Sequence, residues 1–151
     1  MKNIGNLFFH GNRSQRKVAL TFDDGPSRET RELLKLLRKE NVRATFFVLG
    51  KHIGNNEKII KTIIREKHEI GNHGYSHKSL IFKSRKFISE EIKKCDDLLL
   101  KKFDIRTNLF RHPYFHFGLN AWIVTYRLKK KVIFCDVKVF HKPHTLVCGT
   151  L

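Results

Sequence analysis

One segment constrains this chain more than any other, an apolar run from Val18 to Phe22 that ends in two adjacent carboxylates and a Gly-Pro turn. The run is typical of a buried strand, and Gly-Pro stops it. Asp23 and Asp24 repel each other at the mouth of that strand, so a fold tolerates them best where a cation such as a metal ion sits. They could equally open a loop and cap the helix that begins near Ser27.

Two histidines further along the chain could bind a metal ion together with one of these aspartates. His73 and His77 are four positions apart, so on a helical turn they share a face and can hold one Zn²⁺-like ion. Together with an aspartate after a strand they supply three ligands and leave one coordination position open. That is the arrangement of a catalytic metal site, whereas structural sites are closed by four protein ligands.

These segments, with two others, resemble the polysaccharide deacetylases, the NodB-homology carbohydrate esterases of family 4. The family motifs are Thr-Phe-Asp-Asp-Gly-Pro, then His-x-x-x-His with Ser or Thr before the second histidine, then Arg-x-Pro-Tyr. They occur here in that order, and the resemblance covers most of the chain, residues 17 to 136. The matching residues are Thr21–Pro26, His73, Ser76 and His77, then Arg111, Pro113 and Tyr114, with Ala44–Gly50 similar to the family's second strand.

The resemblance implies a role for each matched polar residue. Asp23 corresponds to the general base, and Arg111 to the residue that pairs with it and keeps it ionised and oriented. The backbone N–H of Tyr114 corresponds to a donor to the oxyanion, and Pro113 and Tyr114 are expected to contact substrate. The expected metal ligands are Asp24, His73 and His77.

The resemblance implies a metal-dependent hydrolase that removes N-acetyl groups from a polysaccharide containing N-acetylglucosamine, of the chitin or peptidoglycan type. A divalent metal ion, Zn²⁺ in preference to Co²⁺ or Mn²⁺, would hold the carbonyl oxygen and lower the pKa of bound water. Two other classes stay open. One is a catalytically inactive remnant that binds metal or glycan, and the weaker one is a basic nucleic-acid-binding domain.

The chain departs from the family pattern at three places. Phe115 stands where the third motif continues with glycine, and because phenylalanine does not take a positive φ as glycine does, we expect this loop to be bent differently. After Asp136 the fourth motif, Asp-x-x-Asp-Trp, lacks its second aspartate and its tryptophan, and the fifth, Leu-x-His, is not found before Leu151. The histidine of the fifth motif is the family's general acid, for which His141 and His144 are poor substitutes. We therefore expect a domain shortened at its C-terminus, with weakened activity.

Strands and helices alternate along the predicted domain, which indicates an α/β fold with a parallel sheet. The resemblance makes this a distorted (β/α) barrel, incomplete at the C-terminus, with its site at the carboxyl ends of the strands. We expect residues 1–16 to form an irregular N-terminal arm before the domain, residues 17–151, and a short strand at Thr145–Cys148 to cover an open sheet edge. The predicted strands are 17–22, 42–49, 69–72, 107–110 and 131–139, and the predicted helices are 30–40, one from 55 or 56, 84–102 and 119–128.

The net charge of +17 favours anionic partners such as nucleic acid, acidic glycans or a membrane surface. The lysines lie mostly between helical apolar positions, however, so we favour a charge spread over helix surfaces and do not expect a nucleic-acid partner. No apolar run is long enough to span a membrane, and the patch Leu7–Phe9 is too short for a signal peptide, so a cytoplasmic location is expected for the chain as given. The resemblance leaves a location outside the cell open, because members of that family often act there. Cys95, Cys135 and Cys148 are widely spaced and odd in number, which indicates reduced thiols.

Overall fold

The structure is a computed structural model that describes residues 4–11, 14, 17–135, 137–141 and 145–150, the last two ranges by their backbone alone. Within these ranges the chain forms one eight-stranded sheet with helices between its parallel strands. The strands are β1 (Leu7–Phe8), β2 (Ala19–Gly25), β3 (Thr45–Val48), β4 (Glu69–Asn72), β5 (Leu109–Phe110), β6 (Lys131–Ile133), β7 (Val137–His141) and β8 (Thr145–Thr150). The helices are α1 (Arg28–Lys39), α2 (Gly50–Ile53), α3 (Glu57–Arg65), α4 (Arg85–Phe103) and α5 (Leu119–Arg127), with single 3₁₀ turns at Gly54–Asn56 and Pro113–Phe115.

The sheet order is β1-β6-β5-β4-β3-β2-β8-β7. From β1 to β2 each pair of neighbours is parallel, while β8 pairs antiparallel with both β2 and β7. The expected α/β fold with a parallel sheet is thus confirmed, and β1 and β7 are the end strands of the sheet that the described residues form. The strand expected at Thr145–Cys148 is also confirmed, because β8 covers the edge of β2 and places Cys148 opposite Thr21.

Two predicted elements differ from those observed, and one observed helix was not predicted. The irregular arm expected over residues 1–16 is wrong at Leu7–Phe8, which forms β1 because Leu7 is buried and the strand adds to β6. The single strand expected at 131–139 is two strands, β6 and β7, which lie far apart in the sheet order. A further short helix, α2, follows β3 before the predicted helix begins at Glu57. The boundary between arm and domain stays a prediction.

The two longest helices begin at serine N-caps. The Ser27 hydroxyl accepts a hydrogen bond from the Thr30 N–H, and the Thr30 side chain accepts one back from the Ser27 N–H, which is a reciprocal capping box at the start of α1. At the start of α4, Ser84 Oγ accepts from the Phe87 N–H at 3.2 Å. None of the helices in the described part of the chain is both long and apolar enough to cross a membrane.

Two apolar clusters hold the helices against the sheet. The first joins β2, β3 and β4 to α1, α3 and α4, and includes Phe22, Leu34, Phe46, Ile60 and Leu99. The second joins β5 and β6 to α4 and α5 and includes Ile88, Ile92, Phe110, Val124 and Val132. Burying one large apolar side chain stabilises a fold by about 1.5–3 kcal/mol, so these clusters fix the strands and, with them, the loops at their carboxyl ends.

The cysteines whose side chains the structure describes are reduced, as expected. Cys95 and Cys135 are reduced, with no disulfide bond. Cys95 is fully buried at the contact of α4 with the sheet, and that burial raises the pKa of its thiol well above its ordinary value. A thiol kept protonated in this way is inert, and the side chain of Cys148 lies outside the described residues.

Candidate metal and catalytic site

The predicted site residues follow strands of the parallel part of the sheet. Asp23 and Asp24 lie at the end of β2, His73 directly follows β4, and Arg111 directly follows β5. Because parallel strands present their carboxyl ends at the same edge of a sheet, the four side chains meet there. Tyr114 lies in the 3₁₀ turn that comes next.

The three expected metal ligands form a compact cluster. One ligand atom from each of Asp24, His73 and His77 lies within 4.8 Å of the other two. The Nε2 atoms of His73 and His77 are 3.4 Å and 3.1 Å from Asp24 Oδ1. Among the residues that the structure describes, no other group of three histidine, cysteine or acidic side chains comes together in this way.

The chemistry of this cluster fits a metal ion. His73 Nδ1 lies 2.8 Å from the carbonyl oxygen of Arg111, and since a carbonyl only accepts, Nδ1 carries the proton and Nε2 of the neutral ring keeps a lone pair. That lone pair faces a carboxylate oxygen of Asp24, and two such acceptors are stabilised by a cation between them. Burial lowers the pKa of His77, although the Asp24 carboxylate opposes the shift, which favours the neutral form that binds metal. Two imidazoles and one carboxylate suit Zn²⁺.

The backbone is strained at three residues of this site. Asp24, His77 and Tyr114 have φ values of 68°, 64° and 59°, in the left-handed region that costs a non-glycine residue of order 1 kcal/mol. The surrounding structure holds them there. His52 Nδ1 donates to the Asp24 carbonyl oxygen at 3.0 Å, and the Tyr114 ring lies 4.5 Å from the His77 ring. Strain of this kind is typical of functional sites.

Two residues that the motifs did not identify hold the loop between the two histidines. Glu91 Oε2 accepts from the backbone N–H groups of Tyr75 and Ser76, at 3.2 Å and 2.8 Å. Asn72 Oδ1 accepts from the Gly74 N–H at 2.7 Å. Both side chains are buried, so their hydrogen bonds fix the path from one ligand to the next. The signal in the sequence was a glutamate beside Ile92, on the apolar face of a predicted helix.

Asp23 and Arg111 form a buried ion pair, as the motifs predict. Arg111 Nη1 donates to Asp23 Oδ1 at 2.8 Å and to Thr21 Oγ1 at 2.7 Å. Arg111 Nε and Nη2 donate to the carbonyl oxygens of Ile133 and Phe134, at 3.1 Å and 3.4 Å. The guanidinium is fully buried, so Asp23 is held in one orientation by a group that is itself fixed by Thr21 in β2 and by the backbone at the end of β6.

The third motif forms a tight turn beside the metal cluster. Pro113 is buried and lies next to Gly74. Tyr114 is more than half exposed. The expectation that the loop bends away from a glycine-like path is wrong, because Phe115 has a φ of 57° and so takes the left-handed conformation that glycine favours. Its ring lies 6.5 Å from the Phe134 ring and 5.5 Å from the Arg111 guanidinium carbon. These contacts offset the backbone strain.

His112 is a buried histidine that the motifs left unassigned. Its ring lies 4.9 Å from that of Phe110 and 5.7 Å from that of Phe117, and neither ring nitrogen has a hydrogen-bond partner among the described residues. Burial, with a smaller contribution from the nearby His73, lowers the pKa of His112 to about 3. The imidazole is therefore neutral in the folded protein at pH values where an exposed histidine is charged.

This pKa predicts a pH dependence of stability. Below the ordinary histidine pKa of about 6.5 the unfolded chain binds a proton at His112 that the folded chain excludes, so stability is lost as the pH falls towards about 3. From about pH 7 to about pH 5 the expected loss is about 2 kcal/mol. In His112→Phe, whose ring suits the same aromatic surroundings, this part of the loss should vanish. Urea unfolding of both proteins at the two pH values measures it, and parallel pH dependence in the two would contradict it.

The remaining candidates lie beyond what the structure describes. His144 and Asp136 fall outside the described residues, and His141 is described only by its backbone in β7. Their expected roles in the fourth and fifth motifs stay predictions.

Comparison with known proteins agrees with the site geometry. The model of the family Polysaccharide deacetylase matches residues 10–132. A peptidoglycan-N-acetylglucosamine deacetylase of Bacillus cereus is 39% identical over 107 residues, which cover 70% of this chain and 39% of that protein. A chitin deacetylase of Arthroderma benhamiae is 39% identical over 105 residues, 67% of this chain and 28% of that protein. The chain thus spans less than half the length of either relative.

The fold is similar to a solved structure as well. The crystal structure of a peptidoglycan N-acetylglucosamine deacetylase in complex with 4-naphthalen-1-yl-N-oxidanyl-benzamide superposes with a TM-score of 0.84 at 32% sequence identity. The match covers 87% of this chain and 62% of that one.

Proposed function

The chain belongs to the polysaccharide deacetylase family, and on that basis we propose that it hydrolyses the N-acetyl groups of a polysaccharide containing N-acetylglucosamine. One observation carries the proposal: a three-ligand cluster of Asp24, His73 and His77 lies beside a second aspartate, Asp23, that a buried arginine orients. A metal site with an oriented carboxylate next to it is the arrangement that metal-assisted amide hydrolysis requires.

Each residue of the site has a step to perform. Asp24, His73 and His77 would hold a divalent ion, which when bound would supply Lewis-acid chemistry for an amide carbonyl and for water. Asp23 accepts the proton of the attacking water, since its Oδ1 is occupied by Arg111 while its Oδ2 has no hydrogen-bond partner among the described residues. As the water oxygen bonds to the acetyl carbon, the C–N bond breaks, the sugar amine takes up a proton from solvent, and acetate leaves. Arg111 keeps the carboxylate in place. The Tyr114 backbone N–H donates to the oxygen on which negative charge develops.

The relatives support the substrate class and the metal. One acts on N-acetylglucosamine in peptidoglycan and another on chitin, and the chemistry they share is an N-acetylated amino sugar within a polymer. The solved relative binds an N-oxidanyl-benzamide, whose two neighbouring oxygens are suited to chelate one metal ion. We propose Zn²⁺ before Co²⁺ or Mn²⁺, because two imidazoles and one carboxylate are ligands that Zn²⁺ prefers.

Acetate release from chitohexaose tests the proposal. The metal-free protein should release no acetate, and stoichiometric Zn²⁺ should restore turnover that a chelator then abolishes. Zn²⁺ binding without acetate release, on chitohexaose and on peptidoglycan glycan strands alike, would instead favour a remnant that keeps the metal site. A third outcome would favour a nucleic-acid-binding domain. In that case the protein binds DNA with an affinity that falls steeply as the salt concentration rises, and it shows neither metal binding nor turnover.

A further inference from the structure

Helix α5 carries large apolar side chains on the face that points away from the sheet. Ala121 and Val124 are buried in the second apolar cluster. Leu119, Trp122 and Tyr126 follow the helical spacing i, i+3 and i+7 on the opposite side, and they are 68%, 39% and 63% exposed. A helix that is apolar on both sides is normally covered on both, and an exposed patch of this kind marks an interaction site.

The loop before α4 adds a fourth apolar side chain, Phe82, which is 97% exposed. Both neighbours of Phe82 in the chain contact the start of α5. Ile81 Cγ1 lies 3.9 Å from the position that a Cβ on Gly118 would occupy. The Lys83 carbonyl oxygen accepts a hydrogen bond from Asn120 Nδ2 at 3.1 Å. These contacts hold Phe82 beside the first turn of α5.

The two segments that carry these side chains contain basic residues and no acidic ones. Residues 70–89, which include the loop of Phe82, and residues 105–135, which include α5, have no aspartate or glutamate. Arg85 Nε donates to Asn120 Oδ1 at 3.2 Å, so this cation also lies at the start of α5. What we call the α5 surface consists of four apolar side chains and the exposed cations next to them in sequence: Phe82, Leu119, Trp122 and Tyr126, with Lys83, Arg85, Arg127 and Lys129.

We propose that the α5 surface docks on a lipid bilayer that contains anionic lipids, with its apolar side chains in the headgroup region and its cations against the lipid phosphates. Tryptophan and tyrosine have apolar rings with a polar N–H or O–H, which suits that boundary. Each lysine or arginine beside them adds attraction to an anionic leaflet. The inference does not depend on the proposed hydrolysis.

A bilayer fits this surface better than a protein does. A side chain as exposed as Phe82 enters a fluid layer without a matching pocket, whereas a protein partner has to provide one. A second copy of the chain is disfavoured because the net charge of +17 opposes its association with itself. The four cations of the α5 surface, with no acidic residue in either segment, call for an anionic partner.

Trp122 is the one tryptophan of the chain, so tryptophan fluorescence reports on the α5 surface directly. The full chain is mixed with vesicles of equal parts phosphatidylglycerol and phosphatidylcholine, and separately with vesicles of phosphatidylcholine alone. We expect the protein to sediment with the anionic vesicles, the Trp122 emission to shift to shorter wavelength, and lipids with brominated acyl chains to quench it. Binding to phosphatidylcholine alone should be weaker by at least about 100-fold, because four cations lose their anionic partners.

Substitutions separate the apolar contribution from the electrostatic one. Phe82→Ser should weaken binding to the anionic vesicles about tenfold, as expected when one large apolar side chain no longer leaves water. Lys83→Gln should weaken it about fivefold. Leu36→Ser and Lys39→Gln change an apolar and a basic side chain that are exposed on α1. They are the matched controls and should bind like the unchanged protein.

Three results would overturn the proposal: no binding to the anionic vesicles, binding without a change in Trp122 emission, or a loss in Leu36→Ser as large as that in Phe82→Ser. An emission shift that grows with protein concentration in the absence of lipid would overturn it in favour of a second copy of the chain. A shift with polyglutamate as large as that with vesicles would overturn it in favour of an acidic polypeptide.

Discussion

Replacing Arg111 with methionine is expected to lower the free energy of unfolding by about 3–5 kcal/mol, because it leaves the Asp23 carboxylate buried without its cation. Arg111 also donates to Thr21 and to two backbone carbonyl groups, and methionine replaces none of these bonds. A protein of this size has a total stability of about 5–15 kcal/mol. The variant should therefore unfold at a much lower urea concentration or temperature, by about 2–4 °C per kcal/mol.

Two comparisons separate this effect from the loss of any arginine. Arg38→Met removes a largely exposed arginine from an ion pair with the mostly buried Glu66, which keeps Arg65 nearby, and should cost less, about 1 kcal/mol. The double variant Asp23→Asn, Arg111→Met removes both charges and should recover part of the loss. If the loss of unfolding free energy in the double variant equals the sum of the losses in the two single variants, the pairing with Asp23 is not the reason why Arg111 stabilises the fold.

The ligand cluster and the Asp23–Arg111 pair could be predicted from the sequence because every member except His77 directly follows or ends a strand. A strand signal is local, and in a parallel sheet it also fixes which edge the next residue occupies. His73 and His77 are close in the chain, so their convergence needs only one turn. The distant partners, Asp24 and Arg111, come to the same place because β2, β4 and β5 belong to one sheet.

The residues that support the site could not be predicted in the same way. Glu91 meets the N–H groups of Tyr75 and Ser76 only after α4 packs on the sheet, and no local pattern encodes that contact. The division of the expected strand 131–139 into β6 and β7 likewise depends on which sheet edges are free, because both pieces have strand-like composition. Burial of His112 among aromatic rings follows from the packing of three separate segments.

Phe115 illustrates how tertiary contacts override a local preference. A residue with a side chain at φ of 57° costs about 1–2 kcal/mol relative to an ordinary conformation, and the sequence alone therefore indicated a differently bent loop. In the structure the Phe115 ring lies near Phe134 and Arg111, and burial of part of an aromatic ring is of the same magnitude as the strain. The loop therefore keeps the turn in which the Tyr114 N–H is presented to the site, in place of the differently bent loop that the sequence indicated.

The two adjacent aspartates should be separable by experiment, since the structure gives them different surroundings. Asp23→Asn is expected to lower kcat for acetate release by about 10²–10⁴-fold, the usual contribution of a general base, while Zn²⁺ affinity stays within about threefold. Asp24→Asn should lower Zn²⁺ affinity by at least about 100-fold, because removal of a ligand costs more than the 10–100-fold lost with an outer partner.

Calorimetric titration with Zn²⁺ and acetate release on the same samples measure both effects, with urea unfolding to confirm that each variant is folded. Asp97→Asn, which changes an exposed aspartate of α4, is the matched control and should alter neither quantity. The distinction rests on geometry: Asp24 Oδ1 faces both histidine Nε2 atoms, whereas Asp23 Oδ1 faces Arg111. If Asp23→Asn abolishes Zn²⁺ binding while Asp24→Asn retains it, the assignment of base and ligand must be reversed.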